Sequence, residues 1–197
     1  MQLMAHRGAS GLAPENTLAS FRQCLEYAPE WIELDVHATR DGQIVVMHDA
    51  TVDRTTNGHG AISDLTLAEI RRLEAGSWFG AEFAGEPVPL LSEVVALVGD
   101  RSRLDVEVKG GPDVTATAAA VVDILRAGGV LQRSEISSFD LAALLAVQEI
   151  TSEPELALIT GDPAHLTLCR EHGLGWLNLH FAGVSAALVQ EAHAAGI

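Results

Sequence analysis

Residues 31 to 39 read W-I-E-L-D-V-H-A-T, and in them Ile32, Leu34 and Val36 alternate with Glu33, Asp35 and His37. A period of two belongs to a strand, so the two acids share one face and the aliphatic side chains the other. In an isolated, half-exposed strand that polar face would simply be wet. The pattern returns at 104 to 109, L-D-V-E-V-K, with Asp105, Glu107 and Lys109 opposite Leu104, Val106 and Val108. Two further apolar runs end in histidine: L-M-A-H-R-G-A at 3 to 9 and Q-I-V-V-M-H-D at 43 to 49. An imidazole and a guanidinium at the end of a buried strand are costly to hide, so His6 and Arg7 are expected to face a pocket.

From residue 104 onward strand and helix alternate: strands near 136, 156 and 177, and helices over 114–127, 141–150, 164–172 and 185–195. Such alternation predicts a parallel sheet with helical crossovers. Charged residues pointing inward from several strands favour a closed TIM-type (β/α)8 barrel over an open sheet. With strands also near residues 3, 32, 44 and 104 the count reaches seven, so the eighth is lacking in the sequence given. The natural chain is expected to run past Ile197, since barrels of this kind usually need about 250 residues. The chain is read as one domain, 1–197. A turn-rich capping segment, 51–89, is inserted after the third strand and holds a short helix near Thr66 to Ala75. An earlier helix, Pro14 to Ala28, carries an apolar stripe through Leu18, Phe21 and Cys24, with Asn16 suited to be its N-cap and Glu15 or Asn16 alternatively placed over the site formed by His6 and Arg7.

The 197 residues carry a formal charge of −15 and 48% hydrophobic side chains. That field repels polyanions, which argues against nucleic acid and anionic membrane as partners, and a small anionic substrate would need a local positive pocket. Cys24 and Cys169 lack zinc-site spacing and read as core thiols. No signal peptide pattern opens the chain, so the expected location is cytoplasmic. No apolar run reaches the roughly 18 residues of a membrane span, so no stable membrane insertion is expected. Oligomer formation is possible and carries no signal.

The ordered set H-R-G at 6–8, P-E-N-T at 14–17, E-L-D at 33–35, H-D at 48–49, R-T-T-N-G-H-G at 54–60 and E-V-K at 107–109 resembles the glycerophosphodiester phosphodiesterases. The motifs cover Leu3 to about Lys109. Beyond that the resemblance rests on element order and Ser138-Phe139. It implies a (β/α)8 barrel with an insertion where 51–89 lies, and hydrolysis of a glycerophosphodiester to sn-glycerol 3-phosphate and an alcohol. It also implies His6 and His48 as an acid/base pair, Arg7 and Lys109 as phosphate contacts, and Glu33, Asp35 and Glu107 as ligands of one divalent cation. Oxygen-only ligands favour Mg²⁺ or Ca²⁺ over zinc, and two imidazoles suit one base and one acid near neutral pH. By analogy with two-histidine barrel phospholipases, His6 is assigned as base and His48 as acid.

The remaining histidines, His37, His59, His165, His172, His180 and His193, are read as structural. Glu15 is expected to pair with Arg7 or cap the helix, and Asp49 to support His48 or the metal shell. Asp105 is equally suited to a surface, helix-facing or site role. Trp78 and Phe79 are expected to pack the insertion down. A rival reading is a phosphodiesterase for lysophospholipids or related lipid diesters, against which stands the lack of an obvious exposed apolar loop. Another is a catalytically silent phosphodiester-binding barrel.

Overall fold

In the computed structural model, which describes residues 3–197, the sheet is built from β1 (Met4–His6), β2 (Trp31–Ala38), β3 (Ile44–Val46), β4 (Arg103–Val108), β5 (Glu135–Ser138), β6 (Glu155–Thr160) and β7 (Trp176–Leu179). The helices are α1 (Leu18–Leu25), α2 (Leu67–Ile70), α3 (Leu91–Val98), α4 (Val114–Ala127), α5 (Leu141–Ile150), α6 (Leu166–His172) and α7 (Ala186–Ala194). Six strands run parallel in the order β1-β2-β4-β5-β6-β7, a curled sheet that forms a half-barrel.

The expected third barrel strand is not one. β3 lies off this path and pairs antiparallel with β2, Val46 opposite Val36 and Ile44 opposite Ala38. The five residues 39–43, with Gly42 at φ +75°, turn the chain back at once, and so short a reversal leaves no room for the helical crossover a parallel neighbour requires.

Both faces of β2 and β4 are buried, for different reasons. Ile32, Leu34, Val36, Leu104, Val106 and Val108 point outward into one apolar core shared with Phe21, Leu91, Val94, Val121, Leu125 and Leu144 of the surrounding helices. The inner face carries the charges. Asp113, Asp140 and Ser185 cap α4, α5 and α7 by accepting hydrogen bonds from backbone N–H groups in the first turn.

Helix α1 is shorter than the apolar stripe suggests. Its N-cap is Thr17, whose hydroxyl accepts from the Ser20 N–H, and Asn16 precedes it with φ +57°. In the insertion the expected helix shrinks to the single turn α2, closed by a reciprocal capping box between Thr66 and Glu69. The insertion keeps a small core of its own, in which Val52, Ile62, Ile70 and Val88 pack with Val45 and Met47. Contrary to expectation, Trp78 and Phe79 do not join that core, and Trp78 is 42% exposed. Their rings meet edge to face with centroids 5.6 Å apart, Phe79 meets Phe83 the same way, and the Trp78 indole donates to the Ala75 carbonyl.

Candidate active site

Strand register decides which side chains meet. His6 lies beside Glu33, Glu33 beside Asp105, and Asp35 beside Glu107, and directly paired residues project to the same face. Met47, just past β3, donates its N–H to the Asp35 carbonyl. The antiparallel return therefore carries His48 back to the level of Asp35. His6 and His48 converge from strands of opposite direction, not from equivalent positions of parallel strands.

Glu33, Asp35 and Glu107 are buried and can each offer an oxygen within 4.8 Å of the others. Burial and the neighbouring Asp35 carboxylate push Glu33 up to about 8. Burial raises Glu107 as well. It would raise Asp35 too, but the Lys109 ammonium, the Asn16 amide and the Arg7 guanidinium hold Asp35 below the ordinary carboxylate range. Lys109 Nζ stands 2.8 Å from Asp35 Oδ1 and 2.6 Å from Glu107 Oε1, while Arg7 Nε lies 3.3 Å from Asp35 Oδ2. Asp35 Oδ1, fully buried, accepts no well-aligned hydrogen bond among the described residues despite that ion pair. Three convergent buried carboxylates, crowded enough that Glu33 and Glu107 are pushed up, fit a hard divalent cation that would offset their mutual repulsion.

Backbone strain aims the groups gathered around Asp35. Arg7 sits at φ +56°, and its N–H donates to Glu33 Oε2 at 2.9 Å. Gly8 follows at φ +80°, where a Cβ would come within 2.4 Å of Ser20 Oγ, so only glycine fits the turn. Asn16, in the same left-handed region, donates its amide to Asp35 Oδ2 at 2.7 Å. This second contact to Asp35 takes the place of a capping role. Of the two places the sequence offers Asn16, at the start of the helix or over the site, the second is the one its amide takes.

His6 remains largely exposed, its Nε2 3.8 Å from Glu33 Oε2, and partial burial together with Arg7 lowers its pKa. Nδ1 of His48 is 2.7 Å from Asp49 Oδ1, so Asp49 supports the histidine. Glu15 pairs with Arg7 at 3.1 Å and also with Arg54, a residue of the insertion to which the sequence assigned no role. Asp105 resolves to the interior: it is buried, stands directly beside Glu33 in strand register and accepts from the Ser137 hydroxyl at 2.6 Å. His37 is buried, its Nε2 3.2 Å from the His48 carbonyl. Both cysteines are free and buried, and burial raises Cys24 to about 11.

Phe139, directly after β5, is 66% exposed and Phe181, after β7, is 81% exposed, both at the strand ends that carry the site. No helix among the described residues is long and apolar enough to cross a membrane.

The raised Glu33 makes stability depend on pH. Between its unfolded value near 4.5 and its folded value near 8 the folded state binds the extra proton, so this contribution is present below the lower value and is lost as pH rises through the upper one. His6 and His37, both lowered by burial, act oppositely only up to about their unfolded value of 6.5. In EDTA the melting temperature is therefore expected to fall between pH 6.5 and pH 8, and added Mg²⁺ or Ca²⁺ to raise it more at pH 8. Calorimetry at the two pH values checks this.

Comparison with known proteins gives the same answer from independent directions. The Glycerophosphoryl diester phosphodiesterase family matches residues 6–197. A glycerophosphodiester phosphodiesterase of Caldanaerobacter subterraneus subsp. tengcongensis is 40% identical over 175 residues, 86% of this chain and 72% of that protein. One from Bacillus altitudinis is 32% identical, covering 98% of this chain and 82% of the relative. Among solved structures, an Oleispira antarctica phosphodiesterase in complex with the product sn-glycerol-3-phosphate superposes with a TM-score of 0.91 at 32% identity, over 100% of this chain and 81% of that one. A glycerophosphodiester phosphodiesterase from Agrobacterium tumefaciens gives 0.88 at 29% identity, over 100% and 84%. With family, fold and the buried acidic triad in agreement, the chain belongs to the glycerophosphoryl diester phosphodiesterase family.

Proposed function

We propose that the protein hydrolyses glycerophosphodiesters to sn-glycerol 3-phosphate and an alcohol, with His6 and His48 as the acid/base pair. The observation that carries this reading is the arrangement around Asp35, where buried carboxylates are flanked by Arg7 on one side and Lys109 on the other. A site with that alternation of charge suits a phosphodiester anion together with a cation. The product bound by the Oleispira antarctica phosphodiesterase supports the same substrate class.

Glu33, Asp35 and Glu107 would hold one divalent cation, Mg²⁺ or Ca²⁺, which when bound supplies Lewis-acid polarisation of the phosphoryl group. Arg7 offers a planar fork and Lys109 a point charge to the phosphate oxygens as negative charge builds on them. The lowered pKa of His6 keeps its ring neutral at pH 7 and able to take the proton of the attacking hydroxyl. His48, with Nδ1 directed at Asp49, would deliver a proton from Nε2 to the departing alcohol oxygen.

Glycerol 3-phosphate release from glycerophosphocholine by the 197-residue chain, with Mg²⁺, with Ca²⁺ and with EDTA, tests the reading. Release with a cation and none with EDTA is expected, and no release by folded, cation-loaded protein overturns it. The exposed Phe139, which follows the doubly paired strand β5, favours a second reading, in which the alcohol side carries an acyl chain. Faster cleavage of lysophosphatidylcholine than of glycerophosphocholine would decide for it.

A further inference from the structure

Arg54 lies in the inserted segment, outside the sheet, yet its guanidinium is the hub of the polar network beside the site. Nε donates to Asp49 Oδ2 at 2.6 Å and Nη2 to Asp49 Oδ1 at 3.1 Å. The other edge reaches Glu15, from Nη1 to Oε2 at 3.2 Å and from Nη2 to Oε1 at 2.8 Å. Each carboxylate then continues into the site. Asp49 Oδ1 meets Nδ1 of His48 at 2.7 Å, and Glu15 Oε1 accepts from Arg7 Nη1 at 3.1 Å, while Arg7 Nε faces Asp35. The result is a chain of alternating charge running His48, Asp49, Arg54, Glu15, Arg7, Asp35.

We propose that Arg54 is a positioning residue: by gripping both oxygens of Asp49, it fixes the carboxylate that sets the ring orientation and proton placement of His48. The inference rests on the acid role of His48 proposed above. Asp49 alone is a short side chain next to the histidine in sequence, free to rotate and to offer either oxygen. A bidentate guanidinium removes that freedom, because its planar fork fits a carboxylate in one orientation, and the grip on Glu15 fixes the guanidinium in turn. Held this way, Asp49 accepts the Nδ1 proton and leaves Nε2 as the nitrogen that faces chemistry. Arg54 and His48 together hold Asp49 well below the ordinary carboxylate range, so it stays an acceptor. The geometry also gives the 51–89 insertion a task beyond covering the sheet, since it delivers this guanidinium to a histidine it does not itself contain.

The test compares wild type, Arg54→Ala, Asp49→Asn and the double variant on two substrates: glycerophosphocholine, whose alcohol must be protonated as it leaves, and glycerol 3-phosphate esterified to nitrophenol, whose leaving group needs no acid. Arg54→Ala is expected to lower kcat on glycerophosphocholine by roughly 10- to 100-fold, the usual cost of removing an outer partner of a site residue, and on the nitrophenyl diester by less than about threefold. The double variant should be no worse than Asp49→Asn. Equal losses on both substrates, or losses that multiply in the double variant, overturn the proposal, because a merely loosened fold slows every substrate alike and independent sites add. Arg54→Lys, which keeps charge without the fork, should recover less than half of the lost kcat, and full recovery overturns the bidentate grip. A second readout does not need turnover. In ¹⁵N-histidine NMR, His48 of the wild type should hold its neutral-state proton on Nδ1, and in Arg54→Ala it should exchange between both nitrogens. An unchanged tautomer in a folded Arg54→Ala spectrum overturns the positioning role even if wild type proves inactive on glycerophosphodiesters, which would instead refute the proposed function.

Discussion

Asp35→Asn is expected to lower glycerophosphocholine hydrolysis by on the order of 10³-fold and to abolish the rise in melting temperature that a divalent cation produces. Removing one preorganised electrostatic group from a phosphoryl or acyl site costs about 10²- to 10³-fold. Asp35 serves several partners at once: it receives the Asn16 amide at 2.7 Å, stands 2.8 Å from the Lys109 ammonium and 3.3 Å from Arg7 Nε. An amide of the same shape turns its oxygen to Asn16 and its NH₂ to the ammonium, a donor against a donor. The loss therefore combines a missing cation ligand with a misplaced Lys109. Steady-state rates and a melting curve with and without Mg²⁺ read the two effects separately. Activity within tenfold of wild type would show that Asp35 is a structural anion and no part of the cation site.

The histidines should separate by leaving group. His48→Ala is expected to slow glycerophosphocholine cleavage by roughly 10²- to 10⁴-fold, the usual worth of a positioned acid or base. On the nitrophenyl diester the same substitution should cost less than about tenfold, because nitrophenolate departs without a proton. His6→Ala should depress both substrates alike, since the attacking hydroxyl has to lose its proton in either case. If His48→Ala cripples the nitrophenyl diester as severely as glycerophosphocholine, the assignment of His48 as acid is wrong and the two histidines exchange roles.

Much of this site was legible because the inner face of the sheet is polar. An alternating strand such as β2 or β4 declares its two faces by composition, and Glu33, Asp35 and Glu107 stand out against Ile32, Leu34 and Val106 without any knowledge of partners. β3 offered no such sign. Ile44, Val45 and Val46 are all buried aliphatics, and a run of that kind encodes neither which face is inward nor which way the strand runs. Its direction is set by the short turn before it and by the pairing with β2, and pairing is tertiary information. The same limit hid Arg54 and left Asn16 divided between a cap and the site. Each lies in a quoted motif, but what makes it part of the site is a contact across 19 residues in one case and 39 in the other, and neither distance follows from local pattern. Asp105 was ambiguous because strand alternation fixes its face without fixing its partner, and the Ser137 hydroxyl that occupies it comes from the neighbouring strand β5.

The division between an aliphatic outer face and a charged inner one has a consequence for how such a protein can change over generations. Cohesion resides in the outer shell, where Ile32, Leu34, Val106 and their helical partners interlock. The lining contributes recognition and reactivity while burying carboxylates whose mutual repulsion the fold must tolerate. Substitutions on the two sides of one strand are thus subject to nearly separate selection. Lining residues can be exchanged for other chemistries while the shell goes on holding the chain together, and inheritance can keep the scaffold while it rewrites the reaction.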